Sequence, residues 1–170
     1  EVMKESFTKL EKYQEIVNQD TQQGEVQFDL LITEKGEDSH LAIVYIDGNH
    51  MGANVEACLQ AAGGNGYEAC VTALRRFSAD IQKNYITDRI EDINRCLKKK
   101  YNQTNAGENR RFIIHAGDEM NFVCNARDAY DAVKTYFASL PRGCSACAGI
   151  AIFHSHAPYT EAYRIAEACC

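Results

Sequence analysis

The chain has 170 residues, a hydrophobic share of 45% and a formal net charge of −6 at pH 7. This length and apolar content describe one globular domain with a sizeable core, and the acidic balance excludes a broad nucleic-acid surface, which needs a basic face. The sequence carries no signal-peptide pattern and no apolar run long enough to cross a bilayer, so a cytoplasmic protein with no membrane partner is expected.

The eight cysteines are Cys58, Cys70, Cys96, Cys124, Cys144, Cys147, Cys169 and Cys170. Most fall on apolar stripes, where a free thiol behaves as a small hydrophobe, and reduced thiols are expected in the cytoplasm. Cys144-Ser145-Ala146-Cys147 is a lone CxxC. It lacks the second pair of a zinc site and does not open a helix as a redox motif does. Lys98, Lys99 and Lys100, with Arg110 and Arg111 beyond them, read as a solvated helix end and loop.

In chain order, Phe7, Leu10, Tyr13, Ile16 and Val17 recur at a helical period and predict a helix over 3–18. Residues 26–33 read as a strand and 34–38 as a turn into a second strand, 41–46, which is apolar on both faces and therefore central. Residues 1–40 are thus expected to lead into a domain at 41–170. A helix is predicted over 51–62, broken by Gly63-Gly64-Asn65-Gly66, which lacks the Lys-Ser/Thr pair of a P-loop. A longer helix follows on Tyr67, Cys70, Val71, Leu74, Phe77 and Ile81, and continues through Ile86, Ile90, Ile93 and Leu97 to residue 100. Residues 101–109 form a polar loop. A hairpin over 111–124 has a Gly-Asp-Glu tip. Asn125 is placed to cap a helix over 126–139, with Ala129, Ala132, Val133, Tyr136 and Phe137 facing inward. A buried strand at 146–154 precedes a last helix opened by Pro158. The order of strand, helices, strand, strand, helix and strand predicts an α+β fold with a ferredoxin-like βαββαβ core. In it an antiparallel sheet has helices on one face and 41–46 and 111–115 as central strands. The abrupt start at Glu1 and the end inside a predicted helix, without a stop signal, are expected of a piece excised from a longer chain.

Two acidic turns carry the chemistry. Asp47-Gly48-Asn49-His50-Met51-Gly52 follows the apolar run 41–46, and Ala116-Gly117-Asp118-Glu119 forms the hairpin tip. Two carboxylates meeting at one sheet end, with nothing cationic beside them in sequence, call for a hard divalent ion such as Mg²⁺ or Mn²⁺, which takes one or two carboxylates plus substrate phosphates. Asp47, Asp118 and Glu119 are the candidate metal ligands and catalytic residues, with plain turn residues as the alternative for Asp47 and Asp118 and a solvated tip as the alternative for Glu119. Gly48, Asn49, His50, Met51 and Gly52 open a helix, where backbone amides make a ready anion site. With Gly117 they are the candidate nucleotide-binding residues. Asn49 is read either as a ribose contact or as a helix cap. His115 reads as a packing residue. His154 and His156 share a face only if their strand stays regular.

The run from Ala42 to Gly52 resembles the first palm motif of the polymerase-cyclase large subunit of type III CRISPR effectors. Ala116-Gly117-Asp118-Glu119 resembles that family's Gly-Gly-Asp-Asp hairpin and equally the GGDEF hairpin of diguanylate cyclases. Ala148-Gly149-Ile150-Ala151-Ile152-Phe153-His154, with Pro158 and Ala166-Glu167, resembles the family's last strand and helix. The resemblance covers about residues 41–170. It implies a nucleotidyl cyclase-like palm that uses two divalent ions to join nucleoside triphosphates, ATP by the CRISPR pattern, into a cyclic oligonucleotide messenger in antiviral defence. It also implies a second palm as partner, in a homodimer or in the parent chain, and CRISPR effector subunits and RNA as partners through regions outside these residues. Ala116 departs from the first Gly of the hairpin. Glu119 departs from the CRISPR pattern but matches GGDEF, which leaves a GTP-using cyclase as an alternative. Arg164 alone stands where the family's last helix often carries a phosphate-binding cation. A histidine-aspartate nuclease signature is absent. The remaining rivals are a palm that binds nucleotide without turnover, as sensor or scaffold, and a plain interaction module.

Overall fold

The computed structural model describes residue 31 and residues 39–101 and 110–170. The expected helix over 3–18 and the loop 102–109 lie outside the described residues. Of the expected strand 26–33 only Leu31 is described. It is helical, and its carbonyl accepts a hydrogen bond from Asn125 Nδ2 at 2.9 Å.

The elements are β1 (His40–Gly48), α1 (Met51–Ala62), α2 (Tyr67–Ile81), a π-helical segment (Gln82–Thr87), α3 (Asp88–Tyr101), β2 (Arg110–Ala116), β3 (Glu119–Asn125), α4 (Ala129–Ser139), β4 (Ala146–His154) and α5 (Tyr159–Cys169). The four strands form one antiparallel sheet in the order β2-β3-β1-β4, the order of a ferredoxin-like core. The apolar runs 41–46 and 120–124 are buried on both faces, as central strands must be. One expectation needs correction. The central strands are β1 and β3, while β2, the first arm of the hairpin, is an edge strand. Its register shifts between Phe112 and Ile114, and Ile113 is left exposed.

Alternation along β1 separates two cores. Ala42, Val44 and Ile46 join Met120, Phe122 and Cys124 of β3 under Ile86, Ile93, Leu97, Ala132 and Tyr136 from the crossover helices. Leu41, Ile43 and Val123 face the other way, against Ala151, Ala162, Ala166 and Leu31. The crossover helices therefore share one face as expected, and α5, which follows the βαββαβ core, covers the second. Close contact there depends on small residues. A Cβ on Gly149 would overlap the carbonyl oxygen of Ala166.

Three further corrections follow from packing. The stripe expected over 67–81 buries no residue, and Tyr67 is 83% exposed; burial begins at Tyr85 and Ile86 in the π-helical segment. Asn125 does not cap a helix at 126. Its Oδ1 accepts from the Arg127 amide at 3.0 Å, and α4 starts only at Ala129, leaving Phe137 half-exposed. The strand at 146–154 is an edge rather than a buried strand, with Ile152 63% exposed.

The thiols are not all reduced. Cys147 of β4 is bonded to Cys170 at the end of α5, with a Cα–Cα distance of 5.2 Å, whereas Cys58, Cys70, Cys96, Cys124, Cys144 and Cys169 are free. The bridge spans 23 residues of sequence and pins α5 to the sheet by removing conformations from the unfolded chain. No helix among the described residues is long and apolar enough to cross a membrane.

Candidate active site

The acidic turns meet at one end of the sheet because β1 and β3 are neighbours. Tyr45 of β1 pairs with Asn121 of β3, and Ala116 of β2 pairs with Glu119. Side chains alternate along a strand, so Asp47, Tyr45, Asn121 and Glu119 lie on the α5 face. Asp118, at the hairpin tip, comes against the end of β1. A Cβ on Gly48 would sit 2.8 Å from Asp118 Cβ, 3.0 Å from its Oδ2 and 2.5 Å from Met51 Cε. Only glycine allows that approach.

The charges reinforce one another. Burial first, and then the charge of Asp118, holds the Asp47 carboxyl above the ordinary carboxylate range, with the Gly48 amide partly opposing. Glu119 is raised by burial and then by Asp47, Asp118 and Glu167. The Tyr45 phenol is pushed up to about 12 by burial, then by Glu119 and Asp47, and Tyr163 rises through burial, Glu119 and Glu167. Among the described residues no ion pair joins a basic side chain to Asp47, Asp118 or Glu119; Asp92 pairs with Arg89 and Arg95. Nor, among the described residues, do three or more His, Cys, Asp or Glu side chains group so as to hold a metal ion by themselves. An open set of carboxylates without a counter-ion fits a hard cation that completes its shell with phosphate oxygens and water.

The same electrostatics set a pH dependence. Asp47 and Glu119 bind protons more tightly in the folded chain than in the unfolded one. They therefore add stability that is full below the unfolded carboxylate range and is lost as pH rises through the raised folded values. In EDTA, the part of the unfolding midpoint due to these groups should fall as pH rises above the ordinary carboxylate range, and Asp47→Asn should flatten that fall. Thermal melts that show the same slope in wild type and variant would overturn the coupling.

The second half of the candidate site is the start of α1. His50 takes φ 62° and ψ 24°, a left-handed conformation uncommon outside glycine, and this turns the chain from β1 into the helix. No side chain caps the first amides of α1, and the space around Gly52 is open. The Asn49 amide donates to Ser145 O at 2.8 Å. Met51 packs partly into the core, so its backbone rather than its thioether is the part placed at the start of the helix. Gly117 takes φ 66° in the hairpin turn, and its amide donates to Gln82 Oε1 at 3.0 Å.

Several neighbours of the site carry no sequence motif. Glu167 and Tyr163 arrive from α5, Gln82 and Tyr85 from the π-helical segment, and Ser145 from the loop before β4. Only a π-helical break in a continuous apolar pattern could have pointed to Gln82 and Tyr85, and that break leaves no compositional mark. Ser145 belongs to the CxxC, whose Cys147 pairs in register with Asp47. At the far end of β1 and β4, away from the carboxylates, His40 meets His154 edge to face at 5.9 Å between ring centroids, and His154 stacks on His156 at 5.3 Å. A cleft of about 390 Å³ between α1 and α2, lined by Cys58, Arg76, Phe77, Asp80 and alanines, includes none of Asp47, Asp118 and Glu119.

No protein-family profile and no curated protein sequence matches the chain. Among solved structures, a Csm1–Csm4 cassette in complex with pppApA is similar over 83% of this chain, with a TM-score of 0.57 and 12% identity. The chain spans 20% of that protein's length. At this identity the likeness shows the fold, a ferredoxin-like palm arrangement.

Proposed function

We propose that this chain is a nucleotidyltransferase palm that joins nucleoside triphosphates, ATP first among them, into a cyclic oligonucleotide. The observation that carries the reading is the cluster of Asp47, Asp118 and Glu119 at one sheet end, without a basic partner among the described residues, beside the start of α1, whose N-cap His50 makes no side-chain cap bond. The fold of a Csm1–Csm4 cassette in complex with pppApA supports it. In this reading Asp47 and Asp118 hold divalent ions, Mg²⁺ or Mn²⁺, and Glu119 completes the acidic rim. Such ions activate an attacking hydroxyl and stabilise departing pyrophosphate. The amides from Gly48 to Gly52 orient the triphosphate, aided by the positive end of the helix dipole. Gly48 lets Asp118 approach, and Gly117 supplies the turn that presents it.

Joining two nucleotides needs a second one poised to attack the first. The proposal therefore includes a second palm, from another copy or from the parent chain, and a cytoplasmic role in CRISPR-type defence with effector subunits and RNA bound through other regions. Glu119, at the fourth place of the hairpin, favours GTP as the second substrate to test. The test is incubation of the protein, across a range of concentrations, with each nucleoside triphosphate and Mg²⁺ or Mn²⁺, followed by mass spectrometry. The expected result is a metal-dependent cyclic product from ATP, with yield per chain rising with protein concentration. Product from GTP alone would move the reading to the diguanylate type. ATP–Mg²⁺ binding without pyrophosphate release would reduce the chain to a sensor or scaffold.

A further inference from the structure

We infer that Gln82 and Tyr85 are positioning residues that fix the two acidic turns relative to each other, an inference that rests on the palm reading above. Both lie in the π-helical segment Gln82–Thr87. A π-turn inserts an extra residue into a helix, re-aims its side chains and recurs at functional sites. Gln82 Oε1 accepts the amide of Gly117 at 3.0 Å, the residue immediately before Asp118. Tyr85 is 2% exposed, and its hydroxyl grips Ser145 twice, donating to the carbonyl at 3.4 Å and accepting from the amide at 3.3 Å. The same Ser145 carbonyl accepts the Asn49 amide at 2.8 Å, two residues beyond Asp47. One short stretch of helix thus holds the tip that carries Asp118 and, through Ser145, the turn that follows Asp47.

The sheet alone does not fix this spacing. Asp118 sits between β2 and β3, and β2 is an irregular edge strand, so the tip is tethered to β1 only through β3. A carboxylate pair that must share hard cations tolerates little drift, because catalytic constellations hold their geometry through supporting hydrogen bonds. Burial pushes the Tyr85 phenol up to about 12, with the Asp118 charge among the smaller causes. The hydroxyl therefore stays protonated and able to donate.

The test is Mn²⁺ binding to the full chain, read by electron paramagnetic resonance, with circular dichroism as the fold control. The Gln82→Ala/Tyr85→Phe double variant should keep its fold and bind Mn²⁺ about tenfold more weakly. A purely structural role would lower the unfolding midpoint and leave the Mn²⁺ affinity unchanged. If the double variant does not fold, Gln82→Ala alone, altered at a partly exposed side chain, should weaken Mn²⁺ about threefold. Wild-type affinity in a folded variant, alongside loss of binding in Asp47→Ala, overturns the positioning role and leaves the palm reading standing. Wild-type affinity in Asp47→Ala brings down the palm reading and the positioning role with it.

Discussion

On the proposed function, replacing Asp47 or Asp118 by alanine should lower nucleoside-triphosphate turnover by about a thousandfold or more, while the chain stays folded. Metal-held charge stabilisation supplies several kcal/mol to a phosphoryl-transfer transition state, and each 1.36 kcal/mol is tenfold in rate. Neither carboxylate has an ion-pair partner among the described residues, so its loss strands no buried charge. Burial and then the like charge of Asp118 raise the Asp47 carboxyl, so Asp118→Ala relieves Asp47 and Asp47→Ala removes the strained carboxyl itself. The unfolding midpoint in EDTA should therefore hold or rise in both variants. Steady-state assays beside thermal melts separate the two effects. Turnover near the wild-type rate in either variant would remove that residue from the site.

Gly149→Ala destabilises the chain by about 3 kcal/mol, the upper part of the range for overpacking. Gly149 pairs with Tyr45 on the α5 face, and the added Cβ would overlap the Ala166 carbonyl oxygen. That oxygen belongs to helix backbone and cannot swing aside as a side-chain tip would. The whole of α5 must move, although Cys170 ties its end to Cys147. For a chain of this size the midpoint should drop by about 10 °C. Because α5 also brings Tyr163 and Glu167 to Glu119, the raised titration of Glu119 should relax as well. A midpoint within about 2 °C of wild type would show that α5 accommodates the methyl group and would overturn the close-packing account.

Local chemistry determined much of this molecule in a readable way. The run 41–46 declares a central strand because it is apolar on both faces, and β1 is one. The predicted bounds of α1 coincide with Met51–Ala62, because a strand-breaking turn precedes it and a glycine run follows it. That Asp47, Asp118 and Glu119 lie near one another was legible from two acidic turns that each adjoin a buried strand, although Asp is also an ordinary turn residue. What remained hidden depends on partners distant in sequence. Periodicity reports that a helix has an apolar side but not what covers it, so the exposure of Tyr67 on α2 and the burial of Tyr85 about five turns on look alike in sequence. Hydrophobicity does not set strand order, and β3 rather than β2 lies beside β1. The Cys147–Cys170 bond and the approach of Glu167 exist only once α5 lies on the second face of the sheet. The grip of Gln82 and Tyr85 on both turns likewise needs a helix, a hairpin tip and a loop brought together in space. Tertiary packing alone decided these, because each contact is fixed by the relative placement of elements and none by the residues within one of them.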